Sequence, residues 1–336
     1  MFSGRWIFGN FVQKFTELGA TGSFYSIGGL NTFEAGWHWF ITQRETTFKM
    51  YDSDVRKWDK GFSNLFHYVI SYVLTALCKN AERHYVSWWI QRSVDTIHHL
   101  VPPYNLLAYW PLGMDSGNFL TYVGNCLVMW FVYAFRWYEK YGYFHWSDMQ
   151  EELGLAVCGD DNHTFPTTSR AASFNIERVF SRWMWEVDTE ERTSLLDVTF
   201  SGRGSVVDPY TGMLLPVIPM RKIKSVCRIA PRTQSPIIRL QRAHAAVILS
   251  FPYFLSSDCM EFVVFYEWLA ELASRLTGYT RPDLNALYRL YTGYSLYHQG
   301  LYTRYSDLKN EYKNTQMHYG QIKEGEGKTS QSRSSS

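Results

Sequence analysis

The residues best suited to metal chemistry are two adjacent aspartates that follow a glycine, Gly159-Asp160-Asp161. Short apolar stretches flank them, at 153–157 and at 164–165, and this pattern predicts a β-hairpin with the acids at its turn. Neighbouring carboxylates repel each other, and a bound divalent cation relieves that repulsion. A solvent-exposed turn without a ligand is the competing interpretation of these three residues taken alone.

A second set of carboxylates follows the strand-like segment 47–51. It includes Asp54 and, five residues later, Asp59. A strand that delivers acids at its end commonly builds a site on a sheet. The alternative is a solvated cluster of charges.

A third group combines a hydroxyl, a second hydroxyl and an amide at fixed spacing, Ser116-Gly117-x3-Thr121-x3-Asn125. We predict a loop over 113–117 and a long helix from about Asn118 to Tyr138. Thr121 and Asn125 are four residues apart and therefore share a face of that helix. They suit a polar ligand, although such side chains also bond to neighbouring backbone.

The remaining elements must position these three groups. The apolar spacing predicts helices over 62–100, interrupted near Asn80, and over 168–183, with helices and short breaks from 235 to about 312. Strand-like segments lie at 106–110, 195–200 and 213–218. The breaks in the last helical region are predicted at Pro252, 256–257 and 278–282. The polar end from Gln316 is predicted to be a flexible tail.

Composition restricts the class of protein. The 336 residues are 46% hydrophobic and 19% charged, as in globular proteins. The net charge of +2 gives no global signal for nucleic acid, so any basic surface must be local. Five dispersed cysteines without a CxxC pair argue against a disulfide framework or structural zinc and favour a reducing compartment. The uncharged stretch 116–135 contains Asn118 and Asn125, so we expect a buried helix and no transmembrane span.

Taken together, the three groups resemble motifs A, B and C of viral RNA-dependent RNA polymerases. Motif A matches as Asp54-x4-Asp59, motif B begins at Ser116, and motif C is Gly159-Asp160-Asp161. Residues 27–37 (IGGLNTFEAGW) and 51–54 (YDSD) are similar to segments of potyvirus polymerases. Residues 200–204 (FSGRG) resemble motif E, the primer grip, and 287–293 (LYRLYTG) resemble a thumb helix. The resemblance covers most of residues 5–295 and points to potyvirus-like and astrovirus-like polymerases of positive-strand RNA viruses.

This resemblance implies an α/β (α+β) fold: a right-hand polymerase palm with an antiparallel sheet flanked by helices, plus a mostly helical thumb. Residues 1–46 would be a remnant of the fingers leading into the palm, 47–218 the palm with motifs A to E, 219–315 the thumb and 316–336 the flexible tail. The fingers would be largely missing, because the basic motif F and motif G do not appear. Motif D lacks its usual lysine, and the candidates for its proton donor are His163, Arg178 and Arg182.

The implied chemistry is template-directed nucleotidyl transfer with two Mg²⁺ or Mn²⁺ ions. Asp54 and Asp160 would be the main metal ligands and catalytic residues, with Asp161 assisting. Asp59, Thr121 and Asn125 would bind the ribose 2′-hydroxyl, and Ser116 with Gly117 would position the template or the nucleotide. Four basic side chains around motif E would hold RNA: Arg203, Arg221, Lys222 and Lys224.

The implied partners are the RNA template, the primer or product strand, nucleoside triphosphates and other viral replication proteins. The implied location is the host cytoplasm, in a membrane-associated replication complex. Two other interpretations stay open: an inactive palm-thumb fragment that only binds RNA, and a reverse-transcriptase-like polymerase. Because no triphosphate-binding fingers segment is evident, we expect residues 1–336 alone to bind RNA weakly and not to polymerise.

Overall fold

A computed structural model has an α+β architecture, in agreement with the predicted fold class. It describes residues 2–20, 31–42, 48–77, 83–94, 97–100, 106–109, 121–228, 235–257, 259–276, 278–294 and 299–331. The helices are α1 (Phe2–Ala20), α2 (Gly36–Thr42), α3 (Trp58–Gly61), α4 (Asn64–Leu77), α5 (Arg83–Val94), α6 (Thr121–Tyr141), α7 (Trp146–Leu153), α8 (Ser169–Ala172), α9 (Glu177–Ser181), α10 (Met220–Arg228), α11 (Pro236–Ser256), α12 (Met260–Ser274), α13 (Leu284–Thr292) and α14 (Gln299–Gln331). The strands are β1 (Met50–Val55), β2 (Ile97–Leu100), β3 (Leu106–Tyr109), β4 (Leu155–Cys158), β5 (Asp161–Thr164), β6 (Val187–Arg192), β7 (Gly204–Val207) and β8 (Leu214–Val217).

The chain forms two compact units. The first contains Met1–Asn31 and Phe40–Ser201, and the second contains Thr32–Trp39 and Gly202–Ser336. The sequence predicted a boundary at residue 218 instead. The difference arises because the β7–β8 hairpin packs its apolar side chains, among them Met213 and Leu215, into the same core as the helices that follow it.

The centre of the first unit is a four-stranded antiparallel sheet in the order β4-β5-β1-β6. The predicted hairpin at Gly159-Asp160 is confirmed, since β4 and β5 pair on either side of it. β1 begins and ends later than predicted, so that Asp52 and Asp54 lie within the strand and not after it. β6 was not predicted, and segment 195–200 forms turns with a single bridge at Phe200 where a strand was expected.

Helix α6 is the long helix predicted after the motif B loop. Its residues Val128, Met129, Val132 and Tyr133 are fully buried, because apolar side chains recur along most of its circumference. It packs against β4 and against α4. Among the described residues, no helix is both long and apolar enough to cross a membrane.

The second unit is mostly helical. Its hairpin β7–β8 turns at Asp208, whose buried carboxylate accepts hydrogen bonds from Thr211 and, at 2.8 Å, from the hydroxyl of Tyr288 on α13. Helix α13 begins with the capping carboxylate of Asp283 and ends at Gly293, which has a φ of 75°. These contacts fix the hairpin to the helical core.

Two helical predictions in this unit were wrong. Helix α11 continues through Pro252, so the break predicted there does not occur. Helix α14 continues to Gln331, although the sequence predicted a flexible tail from Gln316. No proline interrupts residues 299–331, and a polar composition alone does not stop a helix.

Candidate active site

Asp54 and Asp161 stand opposite each other on the adjacent antiparallel strands β1 and β5. Residues opposed in this way project from the same face of a sheet, with Cβ atoms about 5 Å apart. Asp54 is exposed and Asp161 is half-buried. The register therefore brings together two of the three carboxylates that the sequence predicted to share a metal site.

Asp160, the third carboxylate, lies with Gly159 in the two-residue turn of the hairpin. Gly159 has a φ of 71°, in the left-handed region that glycine adopts at little cost. Its backbone N–H donates a hydrogen bond to Sγ of Cys126 on α6, over 3.3 Å. The turn is thus fixed against the N-terminal half of α6.

Asn162, the second residue of β5, fixes the same turn through its side-chain hydrogen bonds. Its Nδ2 donates to the carbonyl oxygens of Ser53, over 3.2 Å, and Asp160, over 3.3 Å, while its Oδ1 accepts from the hydroxyl of Tyr133, over 2.6 Å. Burial raises the pKa of Tyr133, so the hydroxyl keeps the proton that it donates. We did not predict a role for Asn162 or Tyr133 from the sequence; the signal was an amide on a buried strand beside the acid pair.

Asp52 is a structural carboxylate, two residues before Asp54. It accepts hydrogen bonds from Nε of Arg192, over 2.6 Å, and from the backbone and hydroxyl of Thr199, over 3.0 Å each, and it contacts the ring of His163. Burial by itself raises the pKa of Asp52, but the bonds from His163 and Arg192 outweigh it and hold that pKa below its ordinary value. These contacts tie β1 to β5, to β6 and to the segment after β6.

The predicted ribose-binding residues are described only in part. Asp59 lies on α3, which begins directly after the left-handed Lys57, but its side chain is outside the described part of the structure, as are Ser116 and Gly117. Thr121 is the half-buried first residue of α6.

Asn125 is one turn further along α6, next to the Cys126 that contacts the hairpin turn. It is 5% exposed, and its Oδ1 has no hydrogen-bond partner among the described residues. Because a buried acceptor without a partner is costly, this atom suits a ligand that donates a hydrogen bond.

The predicted RNA-binding residues belong to the second unit. Arg221 and Lys222 are exposed on α10, and Nζ of Lys222 lies beside Gly202, next to the half-buried Arg203. Nζ of Lys224 forms an ion pair with Glu261 over 2.7 Å and lowers the pKa of that carboxyl. The charge of Lys224 is therefore partly balanced within the protein.

The three candidates for the motif D proton donor have different surroundings. His163 is fully buried against Asp52, and Arg182 is paired with Glu139. Arg178 is exposed on α9. None of these contacts singles out a donor, and its identity stays open.

The residues fit a hard divalent cation in donor type, since carboxylate oxygens are the ligands that Mg²⁺ and Mn²⁺ prefer. The strand register also suits a cation, because it places Asp54 opposite Asp161. In the described part of the chain, however, no three His, Cys, Asp or Glu side chains form a ready-made metal cluster. A bound cation would have to draw the carboxylates together, and the two-ion site stays a prediction.

One contact beside these carboxylates was not predicted. Asp188 on β6 stands opposite Asp54, on the side away from Asp161, and forms a bidentate ion pair with Arg56. The only local signal for this strand was the short alternation of less polar and acidic residues over 187–190, which the charged residues at 191–192 interrupt.

No protein-family model matches the chain, and no curated protein has a significantly similar sequence. Proposals about function rest on the motifs and on the geometry of the site.

Proposed function

We propose that this chain carries the palm and thumb of an RNA-dependent RNA polymerase, which adds nucleotides to an RNA strand on an RNA template. The observation that carries the proposal is the register of Asp54 against Asp161, with Asp160 in the adjoining turn. Segments about 100 residues apart in the sequence thereby place their acids at one end of one sheet. Motifs A and C require this arrangement.

The proposed roles follow from the position of each group. Asp54, Asp160 and Asp161 supply oxygen ligands for two Mg²⁺ or Mn²⁺ ions. Two such ions, held by these carboxylates, would lower the pKa of an attacking 3′-hydroxyl and neutralise the charge of the leaving pyrophosphate. Oδ1 of Asn125, which has no hydrogen-bond partner among the described residues, accepts a hydrogen bond from the ribose 2′-hydroxyl, which distinguishes RNA from DNA. Arg203, Arg221 and Lys222 bind the phosphates of the RNA.

The buried contacts around the site have a supporting role in this proposal. Asn162 holds the turn that carries Asp160, and the cluster around Asp52 holds the strand that carries Asp54. Small displacements of catalytic groups reduce rates by about 100-fold, so a rigid support is needed. A reverse-transcriptase-like polymerase would use the same acids, and preference for ribonucleotides separates the two functions.

The proposal is tested with Asp160→Asn in the full natural length of the protein, in a primed-template extension assay with Mg²⁺. We expect nucleotide addition to fall by at least ~100-fold, because a lost ligand removes several kcal/mol of transition-state stabilisation. Asp197→Asn, an exposed acid of the same unit, is the matched control and should remain active. Near-normal extension by Asp160→Asn would show that this turn is not motif C.

A further inference from the structure

Three carboxylates stand in one row across strands β5, β1 and β6 of the sheet. Asp54 on β1 is opposite Asp161 on β5 and also opposite Asp188 on β6. Directly opposed residues lie on the same face, and neighbouring strands are about 4.8 Å apart. The row therefore contains two adjacent gaps between carboxylates, Asp161–Asp54 and Asp54–Asp188, and a divalent cation in either gap would have to draw the two flanking carboxylates together.

Arg56 makes the two gaps different. Its Nε and Nη2 donate to the two carboxylate oxygens of Asp188 over 2.7 and 2.9 Å, and its Nη1 lies 3.8 Å from Glu186. The backbone N–H of Arg56 also bonds to the carbonyl of Glu186, which extends the β1–β6 pairing by one step. The hydrogen bonds to Asp188 and the charge of that carboxylate, and more weakly the charges of Glu186 and Asp54, raise the pKa of Arg56. Arg56 thus hydrogen-bonds to both carboxylate oxygens of Asp188. Its positive charge also interacts with the carboxylate of Asp54.

We propose that Arg56 is a positioning residue that withholds Asp188 from metal coordination and so directs the catalytic cation to the gap between Asp54 and Asp161. This inference rests on the proposed function, because it assumes that Asp54 binds a divalent cation. Without Arg56, Asp188 is a third, unneutralised carboxylate beside Asp54. A cation would then have a competing position on the wrong side of β1, away from the turn with Asp160.

The proposal predicts opposite effects from breaking the same ion pair at its two ends. Arg56→Gln removes a positive charge and exposes Asp188, so binding of Mn²⁺ should tighten by roughly tenfold. Asp188→Asn leaves the guanidinium of Arg56 unpaired beside Asp54, so binding should weaken by a similar factor. A change of net charge alone would shift these two variants in the same two directions, but it would leave Arg56→Lys at wild-type affinity. Arg56→Lys keeps the charge but not the bidentate geometry and should give an intermediate affinity.

The experiment is a titration of the 336-residue protein with Mn²⁺ alone, in which electron paramagnetic resonance measures the free ion. Arg170→Gln is the matched control, because Arg170 forms a comparable bidentate pair with Glu152 in the same unit but outside the row. Thermal unfolding checks that each variant is folded. Both sides of the Arg56–Asp188 pair are more than half exposed, so its loss should change the unfolding temperature little.

The variant Asp54→Asn separates the two levels of the proposal. If it leaves Mn²⁺ binding unchanged, the metal site of the proposed function is wrong. If it weakens binding while Arg56→Gln and Asp188→Asn shift affinity in the same direction or not at all, the role of Arg56 is wrong and the metal site stands. Tighter binding by Arg56→Gln and weaker binding by Asp188→Asn, together with an intermediate affinity of Arg56→Lys, support the proposal, and wild-type affinity of Arg56→Lys overturns it.

Discussion

The hydroxyl of Tyr133 on α6 donates a 2.6 Å hydrogen bond to Oδ1 of Asn162 on β5, and both residues are buried. Asn162 in turn binds the backbone of Ser53 and Asp160. One amide therefore joins the helix, the central strand and the turn that carries an acid of the proposed site.

Tyr133→Phe should destabilise the first unit by about 1–3 kcal/mol, because it leaves the buried Oδ1 of Asn162 without its donor. Urea unfolding followed by circular dichroism measures this loss. Tyr138→Phe removes a hydroxyl from an exposed position of the same helix and should change stability by less than about 0.5 kcal/mol. Equal stability of the two variants would mean that the buried bond contributes nothing measurable.

Asn125→Ala should relax the preference for ribonucleotides over deoxyribonucleotides more than it affects Mn²⁺ binding. A site that hydrogen-bonds a substrate hydroxyl discriminates strongly against the analogue without it. Competition between the two nucleotides in single-addition assays, run in the full natural length of the protein, measures the preference, and Asn64→Ala, at an exposed position of α4, is the control. An unchanged preference would remove the ribose-binding role from Asn125.

Gly61→Ala should destabilise the first unit by about 1–3 kcal/mol, because a Cβ at this position would lie 1.9 Å from Nε1 of Trp185. The indole has little room to move, since it stacks on Trp58 at 4.4 Å and on Phe66 at 4.9 Å between ring centroids. Urea midpoints measure the effect.

Gly9→Ala is the control for this steric effect, since a Cβ there meets nothing within 4 Å and the helix favours alanine. In a Trp185→Leu background the neighbouring side chain is smaller. Gly61→Ala should therefore lower the free energy of unfolding less in that background than in the wild type. An equal cost in both backgrounds would contradict the predicted clash.

The free energy of unfolding of the second unit should decrease as the pH is lowered, over a pH range determined by the pKa of Glu267. Burial raises the pKa of Glu267, but bonds from Tyr305, Lys309 and Arg281 outweigh it, and the net shift is downward. The unfolded chain then binds a proton more readily than the folded one, so this stabilisation is present above the unfolded pKa of about 4.3 and is lost as pH falls below it.

Urea midpoints between pH 3 and pH 6 measure this dependence. Glu267→Gln should lower stability near pH 6 and flatten the acid dependence. Glu271→Gln, one turn along α12 in an exposed pair with Arg275, should leave the dependence unchanged. An acid dependence in Glu267→Gln that matches the wild type would assign the effect to other carboxyls.

The order of the motifs made part of the site predictable. The Gly159-Asp160 turn and the helix after residue 118 follow from local spacing, and the structure confirms both. The partnership of Asp54 with Asp161 followed only from the family resemblance, because nothing local relates residues about 100 positions apart.

The parts that were not predicted depend on tertiary contacts. The sequence alone does not distinguish Asp52 from Asp54. In the structure Asp52 is bonded to Arg192 and His163, while Asp54 is exposed. Strand β6 was missed because acidic residues dominate it, and acids are poor predictors of strands. Its role depends on pairing with β1, which no local pattern contains.

The central place of β1 has a consequence for how this protein can change in evolution. β1 is paired on both edges, so its register is fixed twice, against β5 and against β6. Inserting or deleting one residue within β1 would turn each of its later side chains to the opposite face and separate Asp54 from both opposed acids. Changes of length should therefore accumulate in the connections, such as residues 193–197, while β1 keeps a constant length among descendants of this sequence.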